Sequence, residues 1–215
     1  MRKLINLILI LLLVVLFNIQ NAQELKTIKL PPPQKEIGKP LMQVLNLRHS
    51  TRSFNTLPLP LQELSNLLWA AFGINRPETG KRTAPSALNW QEIDIYVADA
   101  EGVYRYDAEN NNLIKIMSED IRTLTGKQDF LKVAPVDFIY VTDYSRTSNI
   151  SQEDKLLFSC ADVGFIAQNV YLYCASQGLG TVVRGMIDRD VLSKKLGLKP
   201  DQKIMLAQTV GYPKT

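Results

Sequence analysis

The run EDKLLFSCADVGFIAQNVYLYCAS, residues 153–176, decides the fold class. Leu156, Leu157, Phe158, Ala161, Val163, Ile166, Ala167, Val170 and Leu172 put apolar side chains around most of a helical circumference. That pattern marks a helix buried on all sides, not an amphipathic one. Gly178 and Gly180 end it. In a chain of 215 residues such a helix is buried more easily with the help of a second copy, which favours a homodimer. Cys160 and Cys174 lie on this helix, about 21 Å apart along its axis. A disulfide needs Cα atoms within about 7 Å, so both are expected to be buried free thiols.

Strand signals fall on both sides of the helix. Ile93, Ile95 and Val97 alternate with other residues, residues 103–106 and 113–116 flank an Asp/Asn-rich turn as a hairpin, and further strands are expected over 136–142 and 204–210. Helices are expected over 40–47, 61–72 and 191–196; in the second, Leu61, Leu64, Leu67, Leu68 and Ala71 keep helical spacing and Gly73 stands at the stop. Residues 75–83 are polar and carry Gly and Pro, hence a loop. The order neither alternates strictly nor is all strand, so the class is α+β: a central mixed or antiparallel sheet flanked by helices.

At the start of the chain, Arg2 and Lys3 precede the apolar residues 4–17, a more polar stretch and Ala22. This order predicts a signal peptide over 1–22 and export to the periplasm. The rival is an uncleaved N-terminal anchor with the domain outside the cytoplasm. Residues 23–39, rich in Pro and Lys, predict an extended leader over the surface, and 40–215 form the single domain. Without Arg2 and Lys3 the net charge falls from +4 to +2, too mild for a nucleic-acid binder. No membrane contact is expected beyond the export signal. His49 is the one histidine, which excludes a multi-histidine metal site, and no metal is expected.

Three segments carry chemistry. In Arg48-His49-Ser50-Thr51-Arg52-Ser53-Phe54 two guanidiniums flank a hydroxyl, a set that can clamp a phosphate; alone it also reads as a solvated basic turn. In Arg82-Thr83-Ala84-Pro85-Ser86-Ala87-Leu88-Asn89, the Asn89 amide offers a donor and an acceptor to the polar edge of a heterocycle, or simply forms a turn. In Gly178-Leu179-Gly180-Thr181-Val182-Val183-Arg184-Gly185, glycines permit backbone to approach a planar ligand, or make a helix-to-strand turn.

Together, in this order and spacing, these segments resemble the nitroreductase family of FMN enzymes. Within it they are most similar to the SagB-type peptide-azoline dehydrogenase branch, through residues 48–54, 61–71, 80–86, 102–107, 162–169 and 178–181. SagB-like chains often carry Glu and His where this one has Asp162 and Phe165, and Asn89 follows the general family pattern. The resemblance implies a nitroreductase-like fold, an intertwined homodimer and FMN at the subunit interface. It assigns Arg48, Ser50 and Arg52, with His49 from the same run, to the FMN phosphate and ribityl chain. Pro85, Ser86 and Asn89 go to the isoalloxazine, often from the other subunit, and the Arg184-Gly185 backbone to flavin N5 and O4. A further basic residue for the phosphate usually follows the Gly-Tyr-Pro segment; this sequence departs from that pattern, with Lys214 a poor match for it. The implied activity is hydride transfer through flavin N5 from a small-molecule donor to a small organic acceptor such as a nitro compound or quinone, with no side-chain catalyst. The alternative is an exported flavin-binding or cofactor-free protein of this fold without turnover.

Overall fold

The computed structural model describes residues 27–214. The signal-peptide reading of residues 1–22 lies outside them. Seven strands form one sheet in the order β1-β6-β5-β4-β7-β9-β8. These are β1 (Thr27–Lys29), β4 (Ile93–Asp99), β5 (Gly102–Asp107), β6 (Asn112–Met117), β7 (Val136–Asp143), β8 (Gly180–Arg184) and β9 (Gln202–Gly211). Every pairing is antiparallel, the purer of the two sheet types expected. The stretch expected to be a bare loop folds as a small hairpin, β2 (Ile74–Arg76) with β3 (Lys81–Arg82). Among the described residues four α-helices flank the sheet: α1 (Leu41–Leu47), α2 (Leu61–Phe72), α3 (Gln152–Gln177) and α4 (Arg189–Leu196).

The two-residue period of β4 and β7 sorts their side chains into two cores. Ile95, Val97, Phe138 and Tyr140 pack with α2 and α3 through Leu67, Leu68, Val163, Ile166 and Val170. Tyr96, Ala98, Ile139 and Val141 face the other way, onto Leu192 and Leu196 of α4. Both faces of the sheet are therefore covered at its centre, as the near-continuous apolar sequence of β7 requires.

The leader is extended, but part of it belongs to the sheet. Thr27–Lys29 pair with β6, and Leu30 is buried in the main core. Asn66 and Ser65 of α2 then hold the polyproline stretch: Ser65 Oγ donates to the Pro31 carbonyl at 2.5 Å, and Asn66 Oδ1 accepts from Gln34 N–H at 2.8 Å.

Local signals set the ends of α3. Ser151 accepts from the Asp154 N–H at its start, with Glu153 and Asp154 in the first turn where the helix dipole favours negative charge. Gly178 closes it in the left-handed region, φ 74°, and returns the chain into β8.

The expectation that α3 is buried all round is corrected. The sheet and α2 cover only one side, taking Val163, Ile166, Ala167, Val170 and Cys174. Leu156, Leu157, Phe158 and Phe165 stay on the surface, Leu157 62% and Phe165 47% exposed. Cys160 is likewise exposed, not buried, while Cys174 is buried; both are free thiols. Their burial follows their side of the helix, which composition alone does not reveal.

Truncation should read out the same asymmetry. Ile166→Ala, on the covered side, is expected to lower the unfolding free energy by about 2–5 kcal/mol in a urea titration. Phe165→Ala, one residue away, should change monomer stability by no more than about 0.5 kcal/mol.

Candidate functional site

Arg48 caps the C-terminal end of α1, and the chain from Arg48 to Phe54 then runs past the edge strand β8. Thr51 N–H donates to the Thr181 carbonyl at 2.9 Å. A second tie passes through Tyr171 of α3: its hydroxyl accepts from Val183 N–H at 3.0 Å and is bonded to Ser50 Oγ at 2.9 Å. The Arg48 guanidinium lies over the Tyr171 ring, 5.3 Å from its centre. His49 Nδ1 donates to the Leu47 carbonyl at 2.8 Å, which leaves its other ring nitrogen outward. Arg52 is exposed, and neither Arg48 nor Arg52 has a carboxylate partner among the described residues. Two guanidiniums without a carboxylate partner, on the same run as a half-buried hydroxyl, are the chemistry that a dianion calls for.

The last residues add to this place. Asn55 N–H donates to the Tyr212 carbonyl, and Lys214 N–H to the Ser53 carbonyl, both at 3.0 Å. Lys214 thus lies next to Ser53, beside Arg52, so the basic residue after Gly-Tyr-Pro returns to the arginine run.

At the far end of β8, Gly185 is exposed just past the strand. A Cβ there would meet only Leu206, at 3.5 Å, so the backbone is open to a flat ligand. The Arg184 side chain turns the other way. It is 5% exposed and bonds Asp137 Oδ1 at 2.7 Å, the Thr125 carbonyl at 2.6 Å and Thr209 Oγ1 at 3.0 Å. Thr209 and Thr125 in turn donate to the two Asp137 oxygens. Burial pushes the Asp137 carboxyl upward, and Arg184 and the two hydroxyls oppose it. Only the Arg184 backbone is free to meet a ligand; its guanidinium is structural.

Pro85, Ser86 and Asn89 line a separate cavity of about 190 Å³ with Arg76, Lys81, Arg82 and Gln91. Ser86 Oγ accepts from Gln91 N–H at 3.0 Å, and Asn89 Oδ1 from Gln91 Nε2 at 3.2 Å. The loop is fastened to α3 where Asp162 Oδ2 accepts from Ala87 N–H at 2.9 Å. Asp162 stands nine residues before Tyr171, about 13 Å along the helix. One chain therefore gathers Arg48, His49, Ser50, Arg52 and the Arg184-Gly185 backbone around β8, and holds Pro85, Ser86 and Asn89 at the other half of α3.

The sequence profile of the nitroreductase family matches residues 45–212. A Methanocaldococcus jannaschii protein described as a nitroreductase is 35% identical over 169 residues, 74% of this chain and 85% of the relative. The chain belongs to the nitroreductase family. A crystal structure of a protein of that description from Ralstonia eutropha is 45% identical, with a TM-score of 0.84 over 88% of this chain and 90% of its own. A nitroreductase in complex with FMN from Desulfovibrio desulfuricans shares the fold, with a TM-score of 0.61 and 20% identity over 82% of this chain and 88% of its own. Family membership places this nitroreductase homologue among oxidoreductases.

Of the two residues that fasten the candidate segments to α3, Tyr171 was not picked out from the sequence, and Asp162 was noted there only as a position where SagB-like chains differ. Both interrupt an otherwise apolar run, which is the signal that could have found them. Removing Asp137 tests the structural role of Arg184. Asp137→Ala leaves a buried, uncompensated guanidinium and should cost about 3–5 kcal/mol of stability, measured by chemical denaturation.

Proposed function

We propose that this protein is an FMN-dependent oxidoreductase that works as an exported homodimer, nearest the SagB-type branch of its family. The observation that carries the reading is the seam at Tyr171. It holds Arg48, which has no carboxylate partner among the described residues, and the Ser50 hydroxyl against the strand that leads to the open backbone of Gly185. A ligand with a dianionic tail and a flat ring fits these two ends, and FMN is the family cofactor with that form; the FMN-bound Desulfovibrio protein of the same fold supports the choice.

Arg48, Ser50 and Arg52, with His49 and Lys214 near them, would hold the phosphate and ribityl chain. The Arg184-Gly185 backbone would meet the ring at N5 and O4. Bound FMN supplies hydride acceptance and donation. The chain's own groups bind and orient it, and no side chain is required to move a proton in the redox step. The donor is a small molecule, and the acceptor a small organic compound such as a nitro compound or quinone.

A second copy supplies the rest. Exposed apolar side chains stand on α3 (Leu156, Leu157 and Phe165), on α1 (Leu41, Met42 and Leu45) and on the 85–91 loop (Leu88). Patches of this kind mark association surfaces. Pairing there would bring Pro85, Ser86 and Asn89 of one copy toward the β8 end of the other. The predicted signal peptide puts the enzyme in the periplasm, where its cofactor must be acquired or retained after export.

Two outcomes follow. Arg48→Ala should weaken FMN binding by about 1.5–3 kcal/mol, roughly 10- to 150-fold in Kd, in a fluorescence titration; unchanged affinity would contradict the phosphate assignment. Phe165→Arg should convert the dimer to a monomer in sedimentation velocity and remove FMN binding with it, because the site spans both copies.

A further inference from the structure

The cavity of about 190 Å³ between the β2–β3 hairpin and the 85–91 loop carries three cations that the proposed flavin contacts leave without a task. Arg76, Lys81 and Arg82 line it, and none has a carboxylate partner among the described residues. Arg76 and Lys81 stand directly opposite each other in the hairpin register. Like charges in that position repel and weaken a strand pair. Neighbouring acids do not relieve them. Asp94 is paired with Arg146 at 3.0 Å, while Glu78 and Glu109 are exposed and outside the lining.

The hydrogen bonds inside the cavity are one-sided. Gln91 Oε1 accepts from Arg82 Nε at 2.6 Å, and Gln91 Nε2 donates to Asn89 Oδ1 and to the Gly80 carbonyl, both at 3.2 Å. Gln91 N–H donates to Ser86 Oγ at 3.0 Å. The two side-chain carbonyls of the lining, on Gln91 and Asn89, are thus already taken by donors of the protein. Arg82 is held further by the Phe72 carbonyl on Nη1 at 2.9 Å, and Arg76 gives Nη2 to the Arg82 carbonyl at 2.8 Å. Left over among the described residues are donors: Asn89 Nδ2, the Ser86 hydroxyl hydrogen, Lys81 Nζ, Arg76 Nη1 and Arg82 Nη2. A cavity that offers donors and positive charge calls for a ligand group that is negative and only accepts.

We infer that this cavity is the anion subsite of the substrate: it holds a carboxylate, phosphate or sulfonate group on the small organic molecule that exchanges electrons with the flavin. Its volume is below the roughly 300 Å³ at which pockets for whole ligands begin, so it takes one end of a ligand. Pro85, Ser86 and Asn89, proposed to meet the ring, form one wall of it, so a ligand anchored here has the proposed ring position beside it. That wall is held under strain. Leu88, Asn89 and Gln91 have φ of 49°, 57° and 50°, a left-handed region that non-glycine residues keep only when their surroundings impose it, and such strain gathers at ligand sites. The preference for an anion stands on these side chains alone; that the anion belongs to a redox substrate rests on the proposed function.

The test is ligand-observed fluorine NMR on the full chain, with trifluoromethylbenzoate as the anionic probe and trifluoromethylbenzamide as its neutral twin. The benzoate should bind and the benzamide should not. Lys81→Gln and Arg76→Gln, both at exposed positions, should each raise the Kd for the benzoate about tenfold. The Kd for FMN should stay within about twofold of the wild type in both variants. Inorganic phosphate should compete with the benzoate, but more weakly, because it lacks the organic body. Equal binding of benzoate and benzamide, a benzoate Kd unmoved in both variants, or a site that takes phosphate and not benzoate overturns the inference. So does a loss of FMN affinity in the variants as large as the loss for benzoate, which gives the cavity to the flavin itself. Charge-selective benzoate binding that both variants weaken, in a protein that binds FMN under no condition, upholds the anion cavity and instead sinks the flavin reading.

Discussion

One contact surface organises this molecule: the covered side of α3, where Val163, Ile166, Ala167, Val170 and Cys174 lie on the sheet and α2. Burying those side chains fixes the helix in rotation and register, because the packed core leaves no alternative setting for them. Everything of functional interest is then hung from its polar interruptions. Asp162 fastens the 85–91 loop at one point, and Tyr171 fastens both the Arg48–Phe54 run and β8 at another. The helix acts as a ruler that sets the spacing between them.

The same packing explains why a monomer looks half finished. The sheet can cover only one side of a helix, yet α3 is apolar on both, and further exposed apolar side chains stand on α1 and at Leu88. The ruler also keeps the loop and the arginines of one chain apart, by about 13 Å along the helix axis. A second copy would answer both facts at once, covering the exposed side and bringing a loop to the arginines. Buried polar groups are used sparingly, and each has a definite task. Arg184 and Asp137 lock β7, β8 and β9 together under the backbone that is left open, and Asp162 holds the loop.

Much of this was legible in the residues. The alternation of Ile93, Ile95 and Val97, the helical spacing of 61–72 and the glycines after α3 put most strands and helices where they stand, because each signal is local. What was not legible depends on partners distant in sequence. Thr27–Lys29 become a strand only because β6 offers an edge, and Asn75–Arg82 gain a hairpin only once Arg82 finds Phe72 and Gln91. Composition could not say which side of α3 meets the sheet, so Cys160 and Phe165 were assigned to the interior. Within the candidate site, the arginine run and the glycine turn were recognisable from their chemistry. The Tyr171 hydroxyl that joins them was not, since a tyrosine in an apolar helix reads first as core.

The account stands or falls on a flat, phosphate-tailed ring lying between the arginine run and Gly185. The most direct measurement is the visible absorption spectrum of the protein purified from its native compartment, with the flavin counted against protein. The expected result is the two-band spectrum of an oxidised flavin at one FMN per chain. A colourless protein that leaves the fluorescence of added FMN unchanged would contradict it.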